Sequence, residues 1–399
     1  MKTIIIGAGI SGLTIASKLQ NEEYIILEAR ERIGGRVFTN DKNIDDGAAW
    51  VHGLCDNPLT NLILSDDLIP VAECNPWMHS ENANITYLLG KRSSPKAPLC
   101  LRPDGCIPPT SLHSKAEGQP EAEGQPEAET KKCSMGFKGV SFAEYDEFPL
   151  DESPLEKRQL LAEKWNDLIQ RTNEINGSIA DAFSFLSEDD DMRSFLYMIE
   201  VWCGGSIKNL PISFLQQSET ALFGDYAGSH CLFKKGAKTL VNTLSKDCLS
   251  KIICNQVVTK VVYKPNDVEV HTREGVVYKC NKLCITIPPG PLRDIEFDPP
   301  LPSNKMDALA HIKMGSYKKI QLEFDEVFWN DAPMILTRNE ENEYMLWNNY
   351  MVSKNMPILE AICPADNGFR FTGKSDEEIV DTVLDHLKLY FNNVPFPKS

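Results

Sequence analysis

The sequence lacks several features that define common functional classes. Its twelve cysteines include no Cys-x-x-Cys pair, so zinc and dithiol redox motifs are not indicated. Lysine and arginine total 41 against 57 aspartates and glutamates, and the net charge of −16 disfavours nucleic acids and anionic membranes as partners. No apolar run is long enough to cross a bilayer. The seven histidines show no ligand spacing, so no metal site is predicted.

The clearest pattern that is present lies near the N-terminus. Residues 2–6 form an apolar run typical of a buried parallel strand. Gly7, Gly9 and Gly12 follow as a G-x-G-x-x-G motif; such glycines allow a tight turn, close approach of a pyrophosphate and close packing of the next helix. A second apolar run ends at Glu28, twenty-one positions after Gly7, near the ~20 expected for an acid that holds ribose hydroxyls. The pattern predicts a dinucleotide-binding unit.

An ordinary βαβ unit, whose glycines serve packing alone, is the alternative to this prediction. Glu28 argues against a cofactor with a ribose 2′-phosphate, because a carboxylate at this position would repel the phosphate. The motif itself leaves FAD and NAD open.

Further motifs follow Glu28. They are the Gly34-Gly35-Arg36 turn, an Asp-Asp-Gly-Ala-Ala segment at residues 45–49, and a Trp-Val-His-Gly segment at residues 50–53. This run resembles the flavin-containing amine oxidases, a family that includes monoamine oxidases, polyamine oxidases and lysine-specific histone demethylases. The segment at residues 50–53 looks most like the polyamine oxidases.

The resemblance implies FAD as the cofactor, because the Gly-Gly-Arg turn wraps the FAD pyrophosphate in that family. The FAD is expected to be bound without a covalent link. The cofactor-binding residues that it implies are Gly7, Gly9, Gly12, Glu28, Arg30, Gly34, Gly35, Arg36, Gly47, Ala48, Trp50 and the backbone at Val258.

A lysine is the expected catalytic residue. Ile320, Leu322 and Phe324 alternate along a predicted strand, so Lys319 faces the opposite side, toward a cavity. In the resembled family a lysine ten residues before a tryptophan holds a water against the flavin N5 edge, and Trp329 places Lys319, not Lys318, in that register. A solvent-facing lysine on an edge strand is the alternative.

Two further residues are candidates for the substrate site. His52 lies where the resembled polyamine oxidases place a polar residue beside the substrate, so it is a candidate catalytic and substrate-binding residue; a structural histidine is the alternative. Glu200 is a candidate for binding a substrate ammonium group, and a surface glutamate on a helix is its alternative.

The predicted fold class is α/β with two domains, a Rossmann-like FAD-binding domain and a substrate domain of mixed sheet and helices. The predicted FAD-binding domain comprises residues 1–72 and 224–298, and the predicted substrate domain comprises residues 73–223 and 299–399. Within the latter, residues 91–132 contain a duplicated hexapeptide, Ala-Glu-Gly-Gln-Pro-Glu. They are expected to form a disordered low-complexity insertion.

The resemblance implies an FAD-dependent oxidase, with a polyamine favoured over other amines, that removes a hydride from the carbon next to nitrogen and yields hydrogen peroxide. A small-molecule amine and dioxygen are its expected partners. Because family members continue beyond the equivalent of Ser399 with a further FAD motif, a shortened and inactive relative is the alternative, as is a lysine demethylase relative. No targeting segment is recognised, so the cytoplasm is the default expectation.

Overall fold

The structure is a computed structural model, and it describes residues 2–19, 22–52, 54, 57–63, 67–73, 85–88, 177–183, 190–214, 229–329, 331–339 and 343–398. The predicted disordered insertion at residues 91–132 lies outside the described residues. So does the helix that a capping box predicts to begin near residue 154.

The strands, in chain order, are β1 (Thr3–Ile6), β2 (Tyr24–Leu27), β3 (Trp50–Val51), β4 (Leu68–Glu73), β5 (Ile85–Leu88), β6 (Ser229–Phe233), β7 (Ile252–Ile253), β8 (Val258–Lys264), β9 (Asp267–Thr272), β10 (Val277–Cys280), β11 (Lys282–Ile285), β12 (Glu296–Asp298), β13 (Tyr317–Glu323), β14 (Met334–Arg338), β15 (Tyr344–Asn349) and β16 (Ile358–Pro364). The α-helices are α1 (Ile10–Lys18), α2 (Ile179–Phe183), α3 (Asp190–Cys203), α4 (Lys238–Ser245), α5 (Pro289–Arg293), α6 (Ser303–His311), α7 (Tyr350–Lys354), α8 (Ala365–Phe369) and α9 (Asp376–Lys388).

A parallel sheet with strand order β11-β1-β2-β7 forms the centre of the N-terminal part. Successive side chains of a strand point to opposite faces, so Ile5 packs against helices α1 and α4, while Ile4 and Ile6 pack against strands β8 and β9. Both faces of β1 are covered, which explains why its sequence is a continuous apolar run.

The β-type sequence pattern at residues 252–261 predicts one strand element, and this prediction is wrong because two separate strands form. Asn255 adopts a left-handed conformation, with φ of +57°, which asparagine tolerates better than most residues. The turn ends β7, which belongs to the parallel sheet, and β8 begins a second sheet of order β10-β9-β8-β12. The predicted antiparallel meander of β8, β9 and β10 is confirmed.

Strand β11 was expected to be buried, and it is only partly so. Its first residue, Lys282, is exposed and the next three are half-buried. Among the described residues β11 pairs with β1 on one side only, so its other edge has no neighbouring strand to cover it.

A five-stranded mixed sheet with order β13-β16-β15-β14-β5 forms the second large core. Helix α9 begins with the predicted capping box of Ser375 and Glu378, and its apolar side packs on one face of this sheet. Helix α3 covers the other face, where the Tyr197 hydroxyl donates to the Ile362 carbonyl at 2.9 Å. The buried residues between α9 and the sheet include Phe324, Trp347, Phe371, Val383 and Leu387.

The α/β fold class is confirmed. Strands of the parallel sheet, of the meander and of a small sheet formed by β3, β6 and β4 fall within residues 3–73 and 229–298, whereas the five-stranded sheet uses residues 85–88 and 317–364. The domain boundaries themselves stay a prediction. In the described part of the chain, no helix is long and apolar enough to cross a membrane.

Candidate active site

Gly7 and Gly12 of the G-x-G-x-x-G loop have no room for a side chain. Gly7 follows β1 with φ of +100°, a conformation that favours glycine. A Cβ on Gly12 would lie 2.0 Å from the Gly7 carbonyl oxygen and 2.9 Å from Thr286 Oγ1. Gly12 therefore fixes how closely helix α1 approaches the turn after β1, as the motif predicts.

Glu28 lies directly beneath this loop. Its side chain is 7% exposed; Oε2 accepts a hydrogen bond from the Ala8 N–H at 2.7 Å and Oε1 accepts one from the Arg30 N–H at 3.0 Å. The carboxylate therefore sits at the carboxyl ends of β1 and β2, where ligands bind in open parallel sheets.

Val258 lies near this acid along the chain that follows β7. The Glu28 carbonyl accepts from the Gln256 N–H at 2.8 Å, and the Glu28 N–H donates to Ile253 at 2.9 Å. Val258 then starts β8 opposite Thr272. The structure thus brings Val258 to the same end of the sheet as Glu28.

The second glycine turn packs against the first. Gly34 and Gly35 have φ of +97° and +61°, and a Cβ on Gly35 would lie 3.2 Å from the Gly9 Cα. Gly9 and Gly34 form an isolated parallel bridge, and an Arg30 guanidinium N–H donates to the Gly35 carbonyl at 3.3 Å. The two glycine turns thus form one backbone-lined cradle, which we call the glycine cradle.

Gly47 and Ala48 extend this cradle. A Cβ on Gly47 would lie 2.2 Å from the Arg36 carbonyl oxygen, and the Ala48 N–H donates to that same carbonyl at 3.1 Å. The side chains of Arg30 and Arg36 are exposed. Cationic side chains beside a turn lined by backbone are suited to a pyrophosphate.

A loop at residues 39–45 ties the cradle to helix α4. Thr39 Oγ1 accepts from the Lys238 N–H at 2.9 Å and donates to Asp45, whose carboxylate also accepts the Ala237 N–H at 2.8 Å. These bonds satisfy free N–H groups at the helix N-terminus. Burial raises the pKa of the Asp45 carboxyl, and the hydrogen bonds from Thr39 and Ala237 oppose that shift.

Lys319 is held inside the molecule. Its side chain is 9% exposed, and its Nζ donates to the Asp45 carbonyl at 2.8 Å and lies 3.5 Å from Glu360 Oε1. The solvent-facing alternative is therefore wrong, although β13 is an edge strand. The ammonium group joins the five-stranded sheet to the loop that follows the second glycine turn.

His52 and Tyr317 are exposed side chains whose pKa values are shifted by desolvation. The His52 side chain is exposed, yet surrounding protein desolvates it and lowers its pKa. Tyr317 is 48% exposed, and desolvation likewise raises the pKa of its hydroxyl. Tyr317 shares the Lys319 face of β13 by alternation, and the sequence analysis missed it.

Trp50 and His52 flank a buried valine at strand β3. Their rings stack with centroids 6.4 Å apart, and the His52 carbonyl accepts from Asn57 at 3.2 Å. His52 therefore lies beside the small sheet, directly after strand β3.

Glu200, the candidate for binding a substrate ammonium group, makes a hydrogen bond to the backbone. It lies on helix α3, and its carboxylate accepts the Ile207 N–H at 3.0 Å. Burial raises the pKa of the Glu200 carboxyl, which the Ile207 hydrogen bond opposes. The structure shows Glu200 fixing the turn after its helix, and its role toward a substrate stays a prediction.

A parallel sheet with two glycine turns and an acid at its carboxyl edge defines the class of dinucleotide-binding proteins. Within that class, the sequence profile described as "Flavin containing amine oxidoreductase" matches residues 10–399. The chain belongs to this family, and its cofactor is FAD.

Similar proteins agree with this assignment. The chain is 27% identical to polyamine oxidase 4 of Oryza sativa subsp. japonica over 96% of its own length and 72% of that protein. It is also 27% identical to lysine-specific histone demethylase 1 homolog 3 of Arabidopsis thaliana, over 99% of its length but 25% of that protein. Cyclohexylamine oxidase from Brevibacterium oxydans IH-35A has the same fold, with a TM-score of 0.65, 17% identity, and coverage of 98% and 81% of the two chains.

Proposed function

We propose that this chain is an FAD-dependent oxidase of polyamines. The observation that carries the proposal is the placement of Lys319, whose buried ammonium group bridges the five-stranded sheet and the loop beside the glycine cradle. The family assignment supports amine oxidation. A polyamine oxidase is among the similar proteins, at 27% identity over 96% of this chain, and this likeness supports a polyamine as the substrate.

The residues of the chain divide the work between binding and proton handling. The backbone N–H groups of the two glycine turns bind the pyrophosphate, and Glu28 accepts hydrogen bonds from ribose hydroxyls. FAD, when bound, supplies the acceptor for a hydride from the carbon next to the amine nitrogen and passes the electrons to dioxygen, which becomes hydrogen peroxide.

Lys319 holds a water molecule and moves a proton at its Nζ while dioxygen is reduced. The lowered pKa of His52 keeps its imidazole neutral at pH 7, because histidine ordinarily titrates near 6.5. A neutral ring does not repel a cationic amine and offers a nitrogen that accepts a hydrogen bond. Glu200 is proposed to bind a distal ammonium group of the polyamine.

The test is peroxide release by the purified, FAD-supplemented chain with spermine, spermidine, their acetylated forms, a simple monoamine, and a methylated lysine peptide. The proposal predicts flavin at one per chain and peroxide release with one or more polyamines. Turnover of the methylated peptide alone would assign the chain to the demethylase relatives. Stoichiometric FAD without peroxide from any amine would identify an inactive amine-oxidase-like flavoprotein.

A further inference from the structure

Glu360 is a carboxylate in the centre of the five-stranded sheet. It is 0% exposed and lies on β16 between its two neighbours, opposite Gln321 of β13 and opposite Asn348 of β15. A charge that is removed from water destabilises a fold unless partners compensate it. A glutamate at this position therefore needs an explanation in its contacts.

Donors surround this carboxylate on every side. Oε2 accepts from Gln321 Nε2 at 2.8 Å and from the Tyr350 hydroxyl at 3.3 Å. Oε1 accepts from Asn348 Nδ2 at 2.8 Å and lies 3.5 Å from Lys319 Nζ. Three neutral donors fix the orientation of the carboxylate, and the fourth partner is the cation that the proposed function needs.

The geometry of the sheet directs this carboxylate at Lys319. Because Gln321 is directly opposite Glu360, Lys319 is the diagonal neighbour two residues along the same face, which is within reach of long side chains. The same ammonium group also contacts the Asp45 carbonyl. Lys319 is thus held from two directions, by a charge in the sheet and by a backbone oxygen of the loop.

The face of β13 that carries Lys319 makes further contacts with the same loop. Gln321 Oε1 accepts from Asn40 Nδ2 at 3.3 Å, and Glu323 pairs with Lys42. Lys319, Gln321 and Glu323 are alternate residues of one strand, and we call their contacts with this loop and with Glu360 the Lys319 seam. The seam sets the position of the strand relative to the glycine cradle. Glu360 binds two of the three, which makes it the anchor of the seam.

We propose that Glu360 is the positioning residue of Lys319: its carboxylate pairs with the lysine side chain and fixes Nζ against the loop that joins the cradle. This inference rests on the proposed function for the task of Lys319 in the reaction. The contact between Lys319 and Glu360 can itself be tested without measuring turnover.

The test is reductive methylation with formaldehyde and dimethylamine borane, which modifies neutral amines, followed by mass spectrometry of the peptide that contains both lysines. Lys318 faces the other side of β13 and serves as the internal reference. The measured quantity is the ratio of Lys319 to Lys318 methylation across a pH series, in wild type and in Glu360→Gln. The proposal predicts a ratio about tenfold higher in the variant, because an Nζ that Glu360 no longer holds is more accessible to the reagent.

Thr337→Val is the matched control. It removes the partner of the Trp347 indole N–H within the same sheet core and touches neither Lys319 nor Glu360. If general loosening of the sheet were the cause, Lys319 labelling would rise in this variant too. An unchanged ratio in Glu360→Gln, or an equal change in Thr337→Val, overturns the proposal.

If Glu360→Gln does not fold, Glu360→Asp carries the test, because it keeps the charge and withdraws it by one methylene. The expected ratio is then raised by a smaller factor, and a ratio equal to that of wild type overturns the proposal. A separate arm follows reoxidation of chemically reduced FAD by dioxygen, which Glu360→Gln should slow about tenfold. Failure of the wild-type chain to bind or reoxidise FAD would sink the proposed function and leave the methylation result to decide the role of Glu360.

Discussion

The glycine cradle and the Lys319 seam both position polar groups at the candidate site, but they do so by different physical means. The cradle is built from backbone, with turns so close that a Cβ on Gly12 or Gly47 would collide with a carbonyl oxygen. The seam is built from side chains on separate strands, with a buried carboxylate at its centre. The geometry of the cradle depends on steric fit. The geometry of the seam depends on charge, so substitutions that change a charge without changing the size of the side chain should disturb it.

Gly12→Val should have the largest effect on the cradle. Its Cβ would lie 2.0 Å from the Gly7 carbonyl oxygen, so we expect a loss of about 3 kcal/mol of unfolding free energy, the upper part of the range typical of overpacking, together with loss of FAD binding. Urea denaturation and flavin absorbance measure the two. Gly290→Ala is the control, because nothing lies within 4 Å of that added Cβ. Equal behaviour of the two variants would refute the steric account.

Lys319→Met should have the largest effect on the seam. The variant removes the ammonium group that contacts Asp45 and Glu360, and we expect turnover to fall about 100-fold or more, as for loss of a proton-transfer group. Lys318→Met is the control, because Lys318 faces the other side of β13. Comparable turnover in the two variants would remove Lys319 from the mechanism.

The sheet that carries the seam should lose stability in acid. His386 of helix α9 is 4% exposed, and burial followed by the nearby Arg370 lowers its pKa from 6.5 to about 4. Below pH 6.5, His386 is therefore protonated in the unfolded state but not in the folded state. This difference leaves the free energy of unfolding unchanged above pH 6.5 and lowers it as the pH falls from 6.5 toward 4. The loss should reach about 3 kcal/mol.

Urea denaturation of wild type and of His386→Leu at several pH values measures this contribution. The variant should show a flatter dependence between pH 6.5 and 4, whereas His311→Gln, at an exposed histidine, should follow wild type. Parallel curves for wild type and His386→Leu would show that another group causes the acid sensitivity.

Ser375→Ala should have the smallest effect. Ser375 Oγ accepts the Glu378 N–H, and the Glu378 carboxylate accepts the Ser375 N–H at 2.8 Å. Loss of such a cap costs about 1 kcal/mol, and the change lies in α9, far along the chain from the cradle. Thermal unfolding should show the shift while FAD affinity stays the same. A change in FAD affinity would mean that the two regions are coupled more tightly than their separate cores indicate.

The sequence foretold the cradle better than the seam, and the reason is physical. The spacing of Gly7, Gly9, Gly12 and Glu28 is local and steric, so the pattern determines the turn and the helix that follow. The capping box at Ser375 and the alternation that turned Lys319 away from the apolar face are equally local. These features were all predicted from nearby residues alone.

The partners of Lys319 could not be predicted in this way. Glu360 becomes its neighbour only through the pairing of β13 with β16, and Asp45 only through the contact between the sheet and the loop. One signal was available, since Glu360 is a single acid inside the apolar run at residues 358–362. The end of β7 was missed for a related reason: one asparagine in a left-handed conformation divides an otherwise continuous β-type pattern.

The most direct test of the account is anaerobic addition of a polyamine to the FAD-loaded chain, followed by visible absorbance. We predict that the oxidised flavin band is lost on addition of spermine or spermidine and returns when dioxygen is admitted. A chain that binds FAD stoichiometrically but keeps the oxidised band with every amine would contradict the proposed oxidase function.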